Sequence, residues 1–137
     1  LALLRVRPDL INSAVEEFLR YESSNQLGNR RAVEAVEIGG QAFPAGTLVT
    51  LCIGGANRDP EIFVEPDCLD VSRSPNPHLA FGGGAHTCAG MSLARMEGRI
   101  AIERMVARFS VLEPAGAFKR GGRARFRGYL NYPMRAA

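Results

Sequence analysis

Of seventeen basic residues only Lys119 is a lysine, a bias that reads as genomic composition rather than function. The arginines are scattered and the net charge is only +3. Nucleic-acid binding gathers its basic residues on one face, so that class is set aside. Three cysteines, Cys52, Cys68 and Cys88, are an odd number without paired spacing. A disulfide framework is therefore not expected, which points to a reducing compartment, the cytoplasm. No apolar run approaches the roughly 18 residues that span a bilayer, so no membrane partner is expected. Leu1 to Arg5 is too short for the apolar core of a signal peptide. The lack of an initiator methionine leads us to expect a fragment or a processed product. At 137 residues the chain is still long enough for a real core.

What the chain does have is a glycine loop that delivers a thiol: Phe81-Gly82-Gly83-Gly84-Ala85-His86-Thr87-Cys88-Ala89-Gly90. Three consecutive glycines bring no side chain and lose the most entropy on folding, so packing does not explain them. They suit a tight loop passing close to something flat or bulky. A helix is predicted just beyond Cys88, and the positive end of its dipole favours thiolate over thiol. Three readings compete for Cys88. It is a small residue at a helix start, or a phosphatase-like nucleophile, or an axial ligand of haem iron. The phosphatase register needs an arginine after five residues, whereas Arg95 follows after six. Haem ligation by thiolate is compatible with the loop.

Phe81, Gly84, His86, Cys88 and Gly90 fit F-x-x-G-x-H-x-C-x-G at every fixed position. This resembles the haem-binding loop of the cytochrome P450 family in its soluble bacterial form. The resemblance implies an α+β, mainly helical fold corresponding to the C-terminal third of the family's catalytic domain, with residues 1–137 as one partial domain. It implies haem b with Cys88 as the axial iron ligand. Phe81 would shield the Fe–S bond, His86 would donate to a propionate, and Gly84, Gly90 and Ala94 would belong to the haem-binding stretch.

Upstream, Ile11, Ala14, Val15, Phe18 and Leu19 recur at helical spacing between Leu10 and Glu22. Asp9 is a candidate N-cap, or Ser13 and Glu16 form a capping box one turn later. Glu17 and Arg20 lie three apart, and taken alone they read as a solvated pair contributing ~0.5 kcal/mol. The resemblance reverses this. Glu-x-x-Arg matches the family's second signature, where the pair is buried with a further arginine, here Arg73, in a structural network. Ser24 stands where the family has proline, and Asn25 and Gln26 beside it would face the substrate cavity. Arg30 matches a propionate-binding arginine. Arg31 is its rival by one position, and strand alternation favours Arg30.

Ala32 to Cys52 reads as hairpin strands, with Val33, Val36 and Ile38 running into a turn at Gly39-Gly40, and Thr47 to Ile53 a short strand with Cys52 in the core. Gly54 to Arg58 reads as a helical turn. The segment from Asn57 through Arg73 is turn-forming and resembles the family's meander. Cys68 has no role assigned, and His78 is expected at the surface. A long helix is predicted from Met91 to Phe109, with Ala94, Gly98, Ala101, Ile102, Met105, Val106 and Phe109 on one face. Gly98 suggests close approach of another backbone or of the porphyrin. Arg95 and its basic neighbours present a face for an acidic electron donor, or simply a solvated one. Arg120 to Arg127 is a basic loop, and Tyr129 to Met134 resembles the family's C-terminal strand, which implies that Tyr129 would reach the substrate cavity.

The resemblance implies a monooxygenase inserting one oxygen atom into an apolar small molecule, with electrons from a ferredoxin- or flavodoxin-type partner. No catalytic residue beyond the haem ligand is expected here, because the family's distal acid–alcohol pair has no counterpart. The chain alone is expected to hold haem weakly and not to turn over. Its open helix faces imply self-association or a missing N-terminal part. The alternatives are a non-catalytic haem-binding or scaffold protein of the same fold, and, more distantly, a metal module using His86 and Cys88 without haem.

Overall fold

The computed structural model describes residues 1–137. Its framework is two helices, α2 (Ile11–Tyr21) and α4 (Met91–Arg108), with the short α1 (Ala2–Val6) packed against α4. Leu4, Ile11, Ala14 and Val106 form the buried cluster, and Leu10, Phe18, Val71 and Ile102 close around it. The apolar spacing of α2 thus turns Ile11, Ala14 and Val15 inward. Gly98 of α4 faces α2, but its neighbour is a side chain and not a backbone or a ring. A Cβ added there would lie 3.2 Å from Val15 Cγ1. The absent methyl is what lets the two helices approach.

Neither predicted cap forms. Asp9 instead pairs with Arg7, and Leu10 is the N-cap of α2 without a side-chain bond. The Ser13 hydroxyl donates to the Leu10 and Val71 carbonyls, and Glu16 is committed elsewhere. The helix ends at Tyr21 with Glu22 as its C-cap, and just beyond it the Ser23 hydroxyl donates to the Leu19 carbonyl at 2.7 Å.

The strands make four separate two-stranded antiparallel ladders. β1 (Leu27–Arg31) pairs β4 (Leu48–Cys52), with Arg30 opposite Val49. Between them β2 (Val36–Ile38) and β3 (Gln41–Phe43) form a hairpin through Gly39-Gly40. Both glycines have positive φ, +58° and +77°, as a two-residue hairpin turn of the primed type requires. α3 (Ile53–Ala56) is the single helical turn expected after the strand. Cys52 is exposed, not in the core: β1 and β4 are covered by nothing on that side, and Ile53 points inward in its place.

Residues 57–83 carry no helix or strand and are held by side chains, as described below. Beyond α4, β5 (Leu112–Pro114) pairs β8 (Met134–Ala136), and β6 (Lys119–Arg120) pairs β7 (Tyr129–Asn131). The single C-terminal strand predicted from Tyr129 to Met134 is therefore two strands in different ladders, divided at Tyr132-Pro133. Proline has no N–H to give to a ladder. Only 12 of the 137 residues are buried, so most of the large apolar side chains along α4 and the ladders face outward. On α4 only Val106 is buried, while Leu93, Met96, Ile100 and Met105 are exposed. No helix is long and apolar enough to cross a membrane.

Candidate functional site

The structure brings Glu17, Arg20 and Arg73 into one buried cluster. Glu17 is 0% and Arg20 1% exposed. Arg20 Nε and Nη2 each donate to the Glu17 carboxylate at 2.8 Å. Arg73 Nε reaches the same group at 3.2 Å, Asn76 Nδ2 at 3.0 Å and the Asp70 N–H at 2.9 Å. The remaining donors of Arg20 go to the carbonyls of Asn57 and Pro66 at 2.8 Å and Cys68 at 3.1 Å. Phe63 lies under both guanidinium groups. Burial by itself would raise the Glu17 carboxyl. The hydrogen bonds from Arg20 and Asp70 and the charges of Arg20 and Arg73 outweigh it, and the group sits below its ordinary value of 4.5. The cluster replaces secondary structure as the fastening of residues 57–76. Arg20 binds three of that segment's carbonyls, which a loop buried without partners would leave unsatisfied.

Asn57 extends this fastening to the glycine loop. It is 0% exposed, its Nδ2 donates to Ser23 Oγ at 2.7 Å, and its Oδ1 accepts the Leu79 N–H at 2.7 Å. Sequence reasoning saw only a turn former there, because nothing local marks an asparagine whose two amide ends bridge remote segments.

The glycine loop follows. Gly82 and Gly84 have φ +71° and +69°, conformations that L side chains rarely adopt. Gly84–His86 is a short 3-10 turn, the Cys88 N–H donates to the Phe81 carbonyl at 2.9 Å, and α4 starts three residues beyond Cys88. Cys88 is exposed, and it faces a cavity of about 920 Å³. The walls are the loop (Leu79 to Gly83, His86 and Cys88), the β1–β4 ladder with Arg30, Leu51 and Cys52, and Asn25 and Arg125. Small-molecule and cofactor sites span roughly 300–1,000 Å³.

Of the residues singled out in the sequence, the cavity thus gathers Asn25, Arg30, Phe81, His86 and Cys88. Arg31 also lines it, but its Nη1 is spent on the Gly46 carbonyl at 2.7 Å. Arg30 Nη1 bonds only its neighbour Asn29, at 2.9 Å. Gly84, Gly90 and Ala94 do not line it and act through the path of the backbone, the Ala94 N–H donating to the Gly90 carbonyl. Gln26 and Tyr129 do not line this cavity either. The Gln26 side chain turns back to the Ser23 carbonyl. Tyr129 packs edge-on against Phe118 and Tyr132. Arg125 enters the cavity in its place. The segment it belongs to joins residues 24–26, with Gln26 N–H donating to Arg125 and Arg127 N–H to Ser24.

His78 is a further correction. Its side chain is 2% exposed and Nε2 lies 3.0 Å from Glu16 Oε2. Arg95 Nε meets Glu16 Oε1 at 2.8 Å, so this arginine is not free on a solvated face. Burial would raise the Glu16 carboxyl, but the bonds from Arg95 and His78 hold it below 4.5. No sequence spacing links positions 16, 78 and 95, which is why the trio was missed.

A family model described as cytochrome P450 matches residues 7–120. The chain belongs to the cytochrome P450 family. It is 53% identical over 112 residues to the biotin biosynthesis cytochrome P450 of Bacillus subtilis (strain 168), covering 82% of this chain and 28% of that protein. It is 47% identical over 116 residues to nocardicin C N-oxygenase of Nocardia uniformis subsp. tsuyamanensis, covering 83% and 29%. The crystal structure of P450BioI in complex with hexadec-9Z-enoic acid ligated acyl carrier protein superposes with a TM-score of 0.95 at 46% identity, over 99% of this chain and 36% of that one. The tirandamycin C-bound P450 monooxygenase TamI gives 0.93 at 39% identity, over 99% and 35%. The chain therefore spans somewhat over a quarter of the length of the curated P450s it matches.

Membership in the P450 family implies a haem cofactor, and the cavity residues fit one. The walls offer an exposed thiol, flat apolar contacts from Leu79, Ala80 and Phe81, and cationic or donor groups in Arg30 and His86. Asn25, which lines the cavity, has its Oδ1 buried with no partner in the protein, as does Asn76 beside Glu17. By contrast no third His, Cys, Asp or Glu joins His86 and Cys88, so the donor set of a structural zinc site is missing.

Proposed function

We propose that this chain is the haem-thiolate portion of a monooxygenase that inserts one oxygen atom into an apolar small molecule, and that residues 1–137 are one partial domain, the C-terminal third of the catalytic domain. The observation that carries the reading is the placement of the Cys88 thiol in one cavity with Arg30, His86 and Phe81. Cys88 would hold the haem iron. Arg30 and His86 would hold the two propionates through charge-assisted bonds of the stronger class. With the group in place, the Phe81 ring and the glycine backbone would help to keep water from the sulfur. When bound, a thiolate-ligated haem supplies the oxygen-activating chemistry. The protein's part is to hold, orient and dry that group.

The apolar substrate class is supported by the fatty acyl chain in the P450BioI complex. Electrons come from a ferredoxin- or flavodoxin-type donor meeting the basic α4 side. Because Cys88 and the facing ladder are open, we propose that this chain alone holds haem weakly and does not turn over, and that its exposed α4 side chains are covered by more protein or by a second copy.

The experiment is addition of hemin to the chain, reduction and exposure to carbon monoxide, in wild type and Cys88→Ser. A red-shifted thiolate–CO Soret band in the wild type that disappears in the variant supports the ligand assignment. The same band in both variants overturns it. A stable thiolate pigment with substrate oxidation by the chain alone would overturn the second part. Haem bound without a thiolate signature would favour a non-catalytic haem-binding protein.

A further inference from the structure

We propose that Glu16, His78 and Arg95 form a clamp that positions the cysteine loop, acting on Cys88 through Phe81. The consequence for an iron ligand rests on the reading of Cys88 above, whereas the clamp itself does not.

The loop's own bonds, Cys88 N–H to the Phe81 carbonyl and Thr87 Oγ1 to the Gly84 carbonyl, close it on itself but do not tie it to the rest of the chain. Gly82, Gly83 and Gly84 have no side chains to anchor, and glycine gives up more freedom on folding than any other residue. Asn57 holds the entry at Leu79, and three further side chains from separate parts of the chain meet beside Phe81. Glu16 projects from the middle of α2, His78 stands three residues before Phe81, and Arg95 is on the second turn of α4. Both oxygens of Glu16 are used: Arg95 Nε lies 2.8 Å from Oε1, while Oε2 takes Arg95 Nη2 at 2.9 Å and His78 Nε2 at 3.0 Å.

Both nitrogens of His78 are used as well. Nδ1 accepts the Ala80 N–H at 3.2 Å. This wiring makes Nε2 the N–H that donates to Glu16, an assignment taken from the hydrogen-bond pattern. The ring therefore cannot turn without losing both bonds.

The two arms of the clamp converge on Phe81. The Arg95 guanidinium carbon sits 4.9 Å from the centre of the Phe81 ring, and the His78 ring lies 6.1 Å from it at 54°. Phe81 passes the restraint on, because its carbonyl accepts the Cys88 N–H at 2.9 Å. A solvated ion pair would contribute little. Here His78 is shut away from solvent, and the pair is tied to an aromatic ring and a main-chain bond. Groups that orient a metal ligand in this way change metal affinity by about 10–100-fold when removed. His78 and Glu16 are positioning residues, since neither lines the cavity.

The test compares amide hydrogen exchange in the haem-free chain for wild type, His78→Phe and Glu16→Gln. His78→Phe keeps an aromatic ring but loses both bonds. Glu16→Gln is nearly isosteric, so it keeps the test alive if the first variant does not fold. The clamp requires amides within residues 79–90, Cys88 included, to exchange about fivefold faster, the loss of one or two hydrogen bonds in a local opening. The β1–β4 ladder should be unchanged. Loop rates within about twofold of wild type in both variants overturn the clamp.

Hemin and carbon monoxide then separate the two claims. If the loop loosens and the hemin that wild type does bind gives no thiolate band, the clamp stands and the haem reading fails. If wild type gives the pigment, both variants should shift part of the CO band towards that of a neutral-thiol complex. An unshifted band with a loosened loop overturns the effect on the sulfur.

Discussion

The Glu17 cluster and the Cys88 cavity are built from comparable residue types, yet they differ in almost every physical respect. Around Glu17 the charges are buried and paired, and every donor of Arg20 has a partner. Around Cys88 the thiol, His86 and Arg30 are exposed. One region pairs its charges within the chain, and the other leaves its polar groups open to a cavity. Charge burial is tolerable only where every partner is present. The chain therefore uses its internal salt bridges to hold the turn-rich segment and leaves its chemical groups open.

Breaking the closed side gives the largest effect. Glu17→Ala strands Arg20 without its counter-charge, which should cost about 3–5 kcal/mol. In a chain with so small a core, urea titration by circular dichroism should show loss of the cooperative transition. Retention of wild-type stability would mean that the cluster is not the fastening of residues 57–76.

Helix approach comes next. Gly98→Val should cost about 1–3 kcal/mol by crowding Val15. Val15→Ala in the same chain should recover part of it, and a double-mutant cycle by thermal melts measures the coupling.

Acid should act on the carboxylates of both regions' supports. Glu16 and Glu17 are held below 4.5 in the fold, so the unfolded chain takes up protons first as pH falls. Their stabilisation is present above pH 4.5 and is lost as pH drops through the lower folded values. Melting temperature should stay level down to that region and then fall, and Glu16→Gln should flatten part of the slope.

The open side should be nearly silent in stability. Cys88→Ser and Arg30→Ala, both at exposed positions, should change it by no more than about 0.5 kcal/mol. Their effect belongs to haem: loss of the thiolate band for the first, and about tenfold weaker hemin binding by titration for the second, through the loss of one charge-assisted bond.

The legible parts of the molecule were those whose determinants are local. The apolar spacing from Ile11 to Leu19 placed α2 within a residue or so of its observed ends. Gly39-Gly40 marked its hairpin because two positive φ angles in succession suit glycine. The loop from Phe81 to Gly90 was recognisable because five fixed positions of the family's motif fall within ten residues. His78, Asn57 and Arg125 were not legible. Each acquires its role from a partner far along the chain, and nothing in its own neighbourhood distinguishes it from a surface residue.

By itself the sequence determined the family, the helix and hairpin positions and the identity of the thiol, since backbone propensity, apolar period and a dense motif act over a few residues. Only the tertiary structure decided that Glu16 joins α2 to both sides of the glycine loop, that His78 is shut away from solvent, and that Asn57 ties Ser23 to Leu79. Those outcomes depend on desolvation and on distances between residues dozens of positions apart, which are set when the helices pack and not before.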